Sequence, residues 1–194
     1  MNEKIQKILA QITELEDELE DILQEQQEHI LYHLKDGRIR FKQGIEEAHK
    51  ELKENLMRWF LESTPRNILT LPFIYSMIVP LLLFDICVSV YQFICFPLYR
   101  IRKVRRSKYI ILDRYHLKHL NSIEQFHCIY CGYANGLLSY VREITARTEQ
   151  YWCPIKHARR IIDRHSRYHY FMDFGDASDY HERLKTLRQD LAEE

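Results

Sequence analysis

The chain has 194 residues in which 28 Lys plus Arg balance 28 Asp plus Glu, so no global charge favours nucleic acid or acidic substrates. Five Gly and five Pro argue against a turn-rich all-β chain and against a disordered one, and favour long helices. Five cysteines are an odd count, and Met1 to Lys7 lead into a charged amphipathic segment rather than a secretory signal, which argues against a disulfide framework.

From Ile5, the residues Ile8, Ile12, Leu15, Leu19 and Ile22 follow at alternating steps of three and four, the a/d spacing of a left-handed coiled coil. Gln26 and His29 fall in the same register, so the seam weakens there and shifts toward Ile30 and Leu34 before Asp36-Gly37 breaks the helix. A second amphipathic stretch over residues 44–62 presents Ile45, Ala48, Leu52, Leu56 and Trp59 to Leu61. Residues 1–64 are therefore expected to form a coiled-coil-like helical hairpin. Its stripes either pack on each other within one chain or build a homo-oligomer through the first helix.

Residues 68–99 carry a single charge, Asp85, and are long enough to reach the hydrocarbon core of a bilayer. Pro72, Pro80 and Pro97 interrupt this run, so residues 65–99 are expected to be a proline-broken membrane segment. It is either a tilted, kinked single transmembrane helix or a re-entrant hairpin with Pro80 near its bend. Two full crossings would need about 40 apolar residues and are excluded. Asp85 is a functional candidate because charge in lipid is costly, or a residue at a re-entrant bend. Cys87 and Cys95 read as small membrane-buried residues.

The basic belt over residues 100–108 contains Arg100, Arg102, Lys103, Arg105, Arg106 and Lys108. Its position against the apolar run makes anionic lipid headgroups the expected partner in preference to nucleic acid, and places the C-terminal half on the cytoplasmic side. Lys50, Lys53, Arg58 and Arg66 favour the same side for the N-terminal part.

Residues 109–194 are expected to be a helical metal-binding module. After a short helix marked by Leu117, Leu120, Ile123 and Phe126, Cys128 and Cys131 stand two residues apart, and Gly132 supplies the freedom of a tight knuckle. A helix over residues 135–150 would separate this pair from Cys153 and His157, which share one helix turn with Pro154 in its first positions. Cys128, Cys131, Cys153 and His157 would complete a tetrahedral, closed and hence structural zinc site, with Lys156, Arg159 and Arg160 offsetting its charge. The same ligands can hold an iron-sulfur cluster, and a free Cys128/Cys131 pair can serve thiol-disulfide exchange. His165 and His169, four apart on the continuing helix near Asp163 and Asp173, and the close pair His116 and His119 are the candidates for a second, open metal centre. Tyr140, Arg142, Glu143 and Arg147 read as a polar helix surface without an assigned role, and Tyr180, Leu184, Leu187 and Leu191 as a terminal docking helix after Phe174-Gly175-Asp176.

The stretches C-I-Y-C-G-Y-A-N-G and R-T-E-Q-Y-W-C-P-I-K-H-A-R-R resemble a group of uncharacterised bacterial proteins that share these cysteines and this histidine, over roughly residues 109–165. The resemblance implies a bacterial source and four ligands acting as one unit, and it carries no activity. The sequence thus points to a mainly α, zinc-stabilised scaffold or adaptor on the bacterial inner membrane, with anionic lipids and other membrane proteins as partners. It lacks a phosphate loop, an H-E-x-x-H and a nucleophile with its base. The alternatives are a membrane metalloenzyme built on the second histidine centre and an iron-sulfur redox protein.

Overall fold

The computed structural model describes residues 3–30, 32–35, 38–41 and 64–193. The chain is mainly helical. Its contacts divide it into two compact units, Met1–Leu61 with Asp113–Gln125, and Glu62–Leu112 with Phe126–Glu194.

In the first unit, α1 spans Glu3–Ile30. Its a/d residues Ile8, Ile12, Leu15, Leu19 and Ile22 are all about half exposed or more, at 46–63%. The helix does not continue toward Leu34, as the shifted stripe suggests. Tyr32–Lys35 (β1) and Arg38–Phe41 (β2) pair antiparallel instead, with Tyr32 opposite Phe41 and Lys35 opposite Arg38. The expected second amphipathic helix over residues 44–62 lies outside the described residues.

A capping box opens a long helix. Asn121 Oδ1 accepts from the backbone N–H groups of Ile123 and Glu124, both at 3.0 Å, while Glu124 Oε2 accepts from the Asn121 N–H at 2.8 Å. The helix, α4, then runs unbroken over Ser122–Trp152. Pro154 has no N–H to offer the carbonyl of Gln150, and the helix ends just before it.

In the second unit, α2 (Pro65–Ser76) and α3 (Ile78–Leu98) form one apolar helical segment, long and apolar enough to cross a membrane. Pro65 occupies the first helical position, where its missing N–H is harmless. The join falls at Met77 because Pro80 cannot bond the Ser76 carbonyl and its ring crowds it. At the other end Arg100 adopts φ 59°, and Ile101 N–H reaches Phe96 O at 2.8 Å while Arg100 N–H reaches Pro97 O at 3.2 Å. These are the two bonds of a Schellman cap, and the buried Ile101 and Phe96 make its apolar contact. The cap turns the chain back on itself.

Residues 101–112 return as a strap beside α3, with a 3-10 turn at Arg106–Lys108. α3 and α4 are parallel: Asp85 meets Tyr133, Gln92 meets Tyr140, Tyr91 meets Thr148, and the ring of Tyr99 lies 4.9 Å from that of Tyr151. The core gathers Phe96, Ile101, Val104, Leu137, Tyr140, Ile144 and Leu191. The terminal helix α5 (Tyr180–Glu193) docks with Leu184, Leu187 and Leu191 buried, as its spacing predicts.

Candidate membrane-facing site

Asp85, Ser89 and Gln92 recur at helical spacing on one side of α3, and that side faces inward. Asp85 Oδ2 accepts from Arg106 Nη2 at 2.6 Å and from Tyr133 Oη at 2.9 Å, and Oδ1 accepts from Ser89 Oγ at 3.3 Å. The Asp85 side chain is 12% exposed and that of Arg106 48%. The hydrogen bond that Arg106 donates to Asp85 raises its already high pKa, so the guanidinium keeps its charge. Gln92 Oε1 accepts from Val104 N–H at 2.7 Å and its Nε2 donates to Tyr140 Oη at 2.8 Å. Tyr91 and Thr148 hydroxyls meet at 3.0 Å. This polar seam fixes the strap and α4 to α3.

The opposite side of the segment is apolar and, among the described residues, exposed. Phe73, Val79, Leu83, Ile86, Val90, Phe93, Ile94 and Leu98 are all exposed there. An apolar recess of about 220 Å³ between Tyr75, Ile78, Leu82, Leu112, Phe126, Ile129, Tyr130 and Tyr133 adds to it. At the C-terminal end of α3 the Lys103 ammonium sits 4.5 Å from the centre of the Phe93 ring, and Tyr99 packs edge-on to the half-exposed Trp152 at 5.4 Å.

The basic belt divides by role. Arg106 is held by Asp85, whereas Arg102, Lys103, Arg105 and Lys108 line a concavity of about 430 Å³ with Val104 and Tyr109. Arg147 of α4 joins them, donating to Arg102 O and to Glu143 Oε1, both at 2.8 Å. Arg100 lies outside the lining, at the cap.

The expected zinc ligands are not brought together. Cys128, Cys131 and Gly132 lie inside α4, which has no knuckle, and Cys153 follows its last residue. At 1.5 Å per residue, Cys131 and Cys153 are separated by about 33 Å along the helix. Among the described residues no group of three or more His, Cys, Asp or Glu is placed to hold one metal ion. The four residues therefore fit neither one zinc ion nor one iron-sulfur cluster within a chain. Cys153 and His157 do not share a helix turn either, because an extended stretch follows α4 and Ile155 bridges Met172. The His157 N–H donates to Tyr168 Oη at 2.6 Å.

His165 and His169 do not continue a helix but flank and enter the 3-10 turn Ser166–Tyr170. His165 Nε2 meets Glu149 Oε2 at 3.0 Å. Burial, and then the charges of Arg164, Lys156 and His165, hold the His169 pKa below the ordinary imidazole value. The His116 ring lies tilted against that of Tyr115, 4.0 Å between centres, and His116 and His119 belong to the first unit, whereas His165 and His169 belong to the second. Cys87 is exposed on the outward side of α3 and Cys95 is half-buried.

Sequence reasoning passed over the network that fastens the loop after α4. Arg167 donates to Glu143 Oε1 through Nε at 3.1 Å and Nη2 at 3.0 Å, and to Gln150 Oε1 at 3.0 Å. Glu143 and Arg167 are 13% and 11% exposed. Only Arg142 of the expected polar surface faces out, where it pairs with Asp163. No protein-family model, curated protein or solved structure matches the chain.

Proposed function

We propose that this protein is a membrane-attached helical scaffold, held on the cytoplasmic face of a bacterial inner membrane and self-associating through α1. The observation that carries the reading is the exposed apolar face of Pro65–Leu98, a segment long and apolar enough to cross a membrane. A soluble surface seldom carries so large an apolar patch, and lipid is the medium that would cover it. The cationic strap beside it supports an anionic, cytoplasmic membrane surface.

Self-association is supported by the exposed heptad seam of α1. A helix of 28 residues offers about 42 Å of seam, enough for several a/d layers against a second copy. The full chain in mild detergent is expected to shift from monomer to dimer as its concentration rises in sedimentation velocity runs. Leu15→Lys with Leu19→Lys should hold it monomeric at every concentration. A wild-type chain that stays monomeric throughout would remove the self-association.

A further inference from the structure

The polar seam places charge beside α3 along much of its length. Arg106 reaches Asp85 near the middle of the helix, and Arg102 and Arg147 lie toward its C-terminal end. α4 runs alongside in the same direction and turns Asn135, Leu138, Ser139, Arg142 and Thr145 outward on one exposed side, polar apart from Leu138. Arg142 is paired there with Asp163, whose side chain is 83% exposed. A crossing orientation would put the centre of α3 at the middle of a hydrocarbon core about 30 Å thick. The Arg106 guanidinium, half exposed, would then sit near that middle with the Arg142–Asp163 pair at membrane depth, where charged side chains are strongly disfavoured.

An in-plane orientation removes the conflict. The outward face of α2 and α3 then meets acyl chains, and the strap and the outer face of α4 meet headgroups and water, as in interfacial amphipathic helices. The contact of Lys103 with the exposed Phe93 puts a cation at the boundary between the two media. Trp152 and Tyr99, packed together near the end of α3, suit the same level.

We infer that Pro65–Leu98 lies in the plane of one leaflet, with its outward face among the acyl chains and the cations Arg102, Lys103, Arg105 and Lys108 of the concavity holding the phosphate groups of anionic lipids. The inference rests on the membrane attachment proposed above and adds its topology and its headgroup site. Arg106, committed to Asp85, and Arg147, committed to Glu143 and the Arg102 carbonyl, are not among the phosphate ligands.

Depth measurement tests it. Val79→Cys, Ile86→Cys and Leu98→Cys, each carrying a fluorophore in a chain whose own five cysteines are replaced by serine, are reconstituted with phosphatidylglycerol and phosphatidylcholine vesicles. Lipids brominated at known depths are expected to quench all three labels best at one shallow depth, from one side. A helix crossing the bilayer would spread Val79 and Leu98 over about 28 Å, and that spread would overturn the inference while leaving membrane attachment intact. Labels quenched at no depth would overturn both. Should the cysteine-free chain misfold, polarised infrared spectra of the unmodified chain on oriented bilayers decide the same question. Amide dichroism is expected to place the helix axes near the membrane plane, and axes along the normal overturn it.

The headgroup site has its own readout. Arg102→Gln with Arg105→Gln is expected to weaken binding to phosphatidylglycerol vesicles several-fold and to leave binding to phosphatidylcholine vesicles unchanged. Equal binding of wild type and variant to phosphatidylglycerol overturns the site. Displacement of the protein from vesicles by millimolar inorganic phosphate or by short duplex RNA would assign the concavity to a soluble phosphate or to nucleic acid, and overturn the lipid assignment.

Discussion

Replacing Arg106 by alanine is expected to destabilise the second unit by about 2–4 kcal/mol, more than replacing Asp85 by alanine. The asymmetry follows from burial. Arg106 is half exposed and can turn to solvent once Asp85 is gone, whereas Asp85 is 12% exposed and would be left as an unpaired carboxylate. The exposure of Arg106 keeps the figure below that of a fully buried pair. Tyr133 and Ser89 still bond Asp85 in the Arg106 variant and moderate the loss. The double variant should cost at least about 1 kcal/mol less than the sum of the two single ones, because the pair acts as one unit. Thermal or denaturant unfolding in mild detergent measures all three. Additive effects, or a larger cost for Asp85→Ala than for Arg106→Ala, would show that the clamp does not fix the strap.

Gly136→Val is the second large effect. A Cβ at Gly136 would stand 2.6 Å from Tyr109 O and 2.9 Å from the Ile110 Cα, both strap backbone that cannot rotate away. The strap would have to lift from α4, at a cost of about 3 kcal/mol by analogy with overpacked cores. Gly132, one helical turn earlier, meets its nearest neighbours at 3.4 Å, so Gly132→Ala fits and should stabilise by up to about 1 kcal/mol through helix propensity. Opposite signs at two glycines of one helix are the signature of strap contact. Equal small effects at both positions would contradict it.

These two glycines also explain where the sequence misleads. Cys128, Cys131 and Gly132 have the spacing of a metal knuckle, and that reading needs the chain to bend at Gly132. A single glycine is tolerated inside a helix, and Gly132 with Gly136 sits on the face where the strap approaches. The Asn121 and Glu124 capping box and the absence of proline before Pro154 are the signals for one long helix, and they outweigh the cysteine spacing. Asp85 was legible as a residue with a special role because a lone carboxylate in an apolar run demands a partner. The identity of that partner was not legible, because Arg106 differs from its basic neighbours only in where the Schellman cap at Arg100 sends the strap. The docking of α5 could be read from leucine spacing alone, since three inward positions at helical period leave little choice of face. Arg167 was hidden because its partners, Glu143 and Gln150, belong to a different element.

Membrane attachment through the outward face of α3 is the claim on which the rest depends, and washing isolated membranes tests it most directly. Membranes from cells making the full chain are washed first with high salt and then with alkaline carbonate. The wild-type protein is expected to stay with the membranes through both washes, while a chain with Ile86→Asp and Val90→Asp, two outward positions, moves into the soluble fraction. Release of the wild-type protein by salt alone, or its recovery as a soluble protein before any wash, would contradict the account.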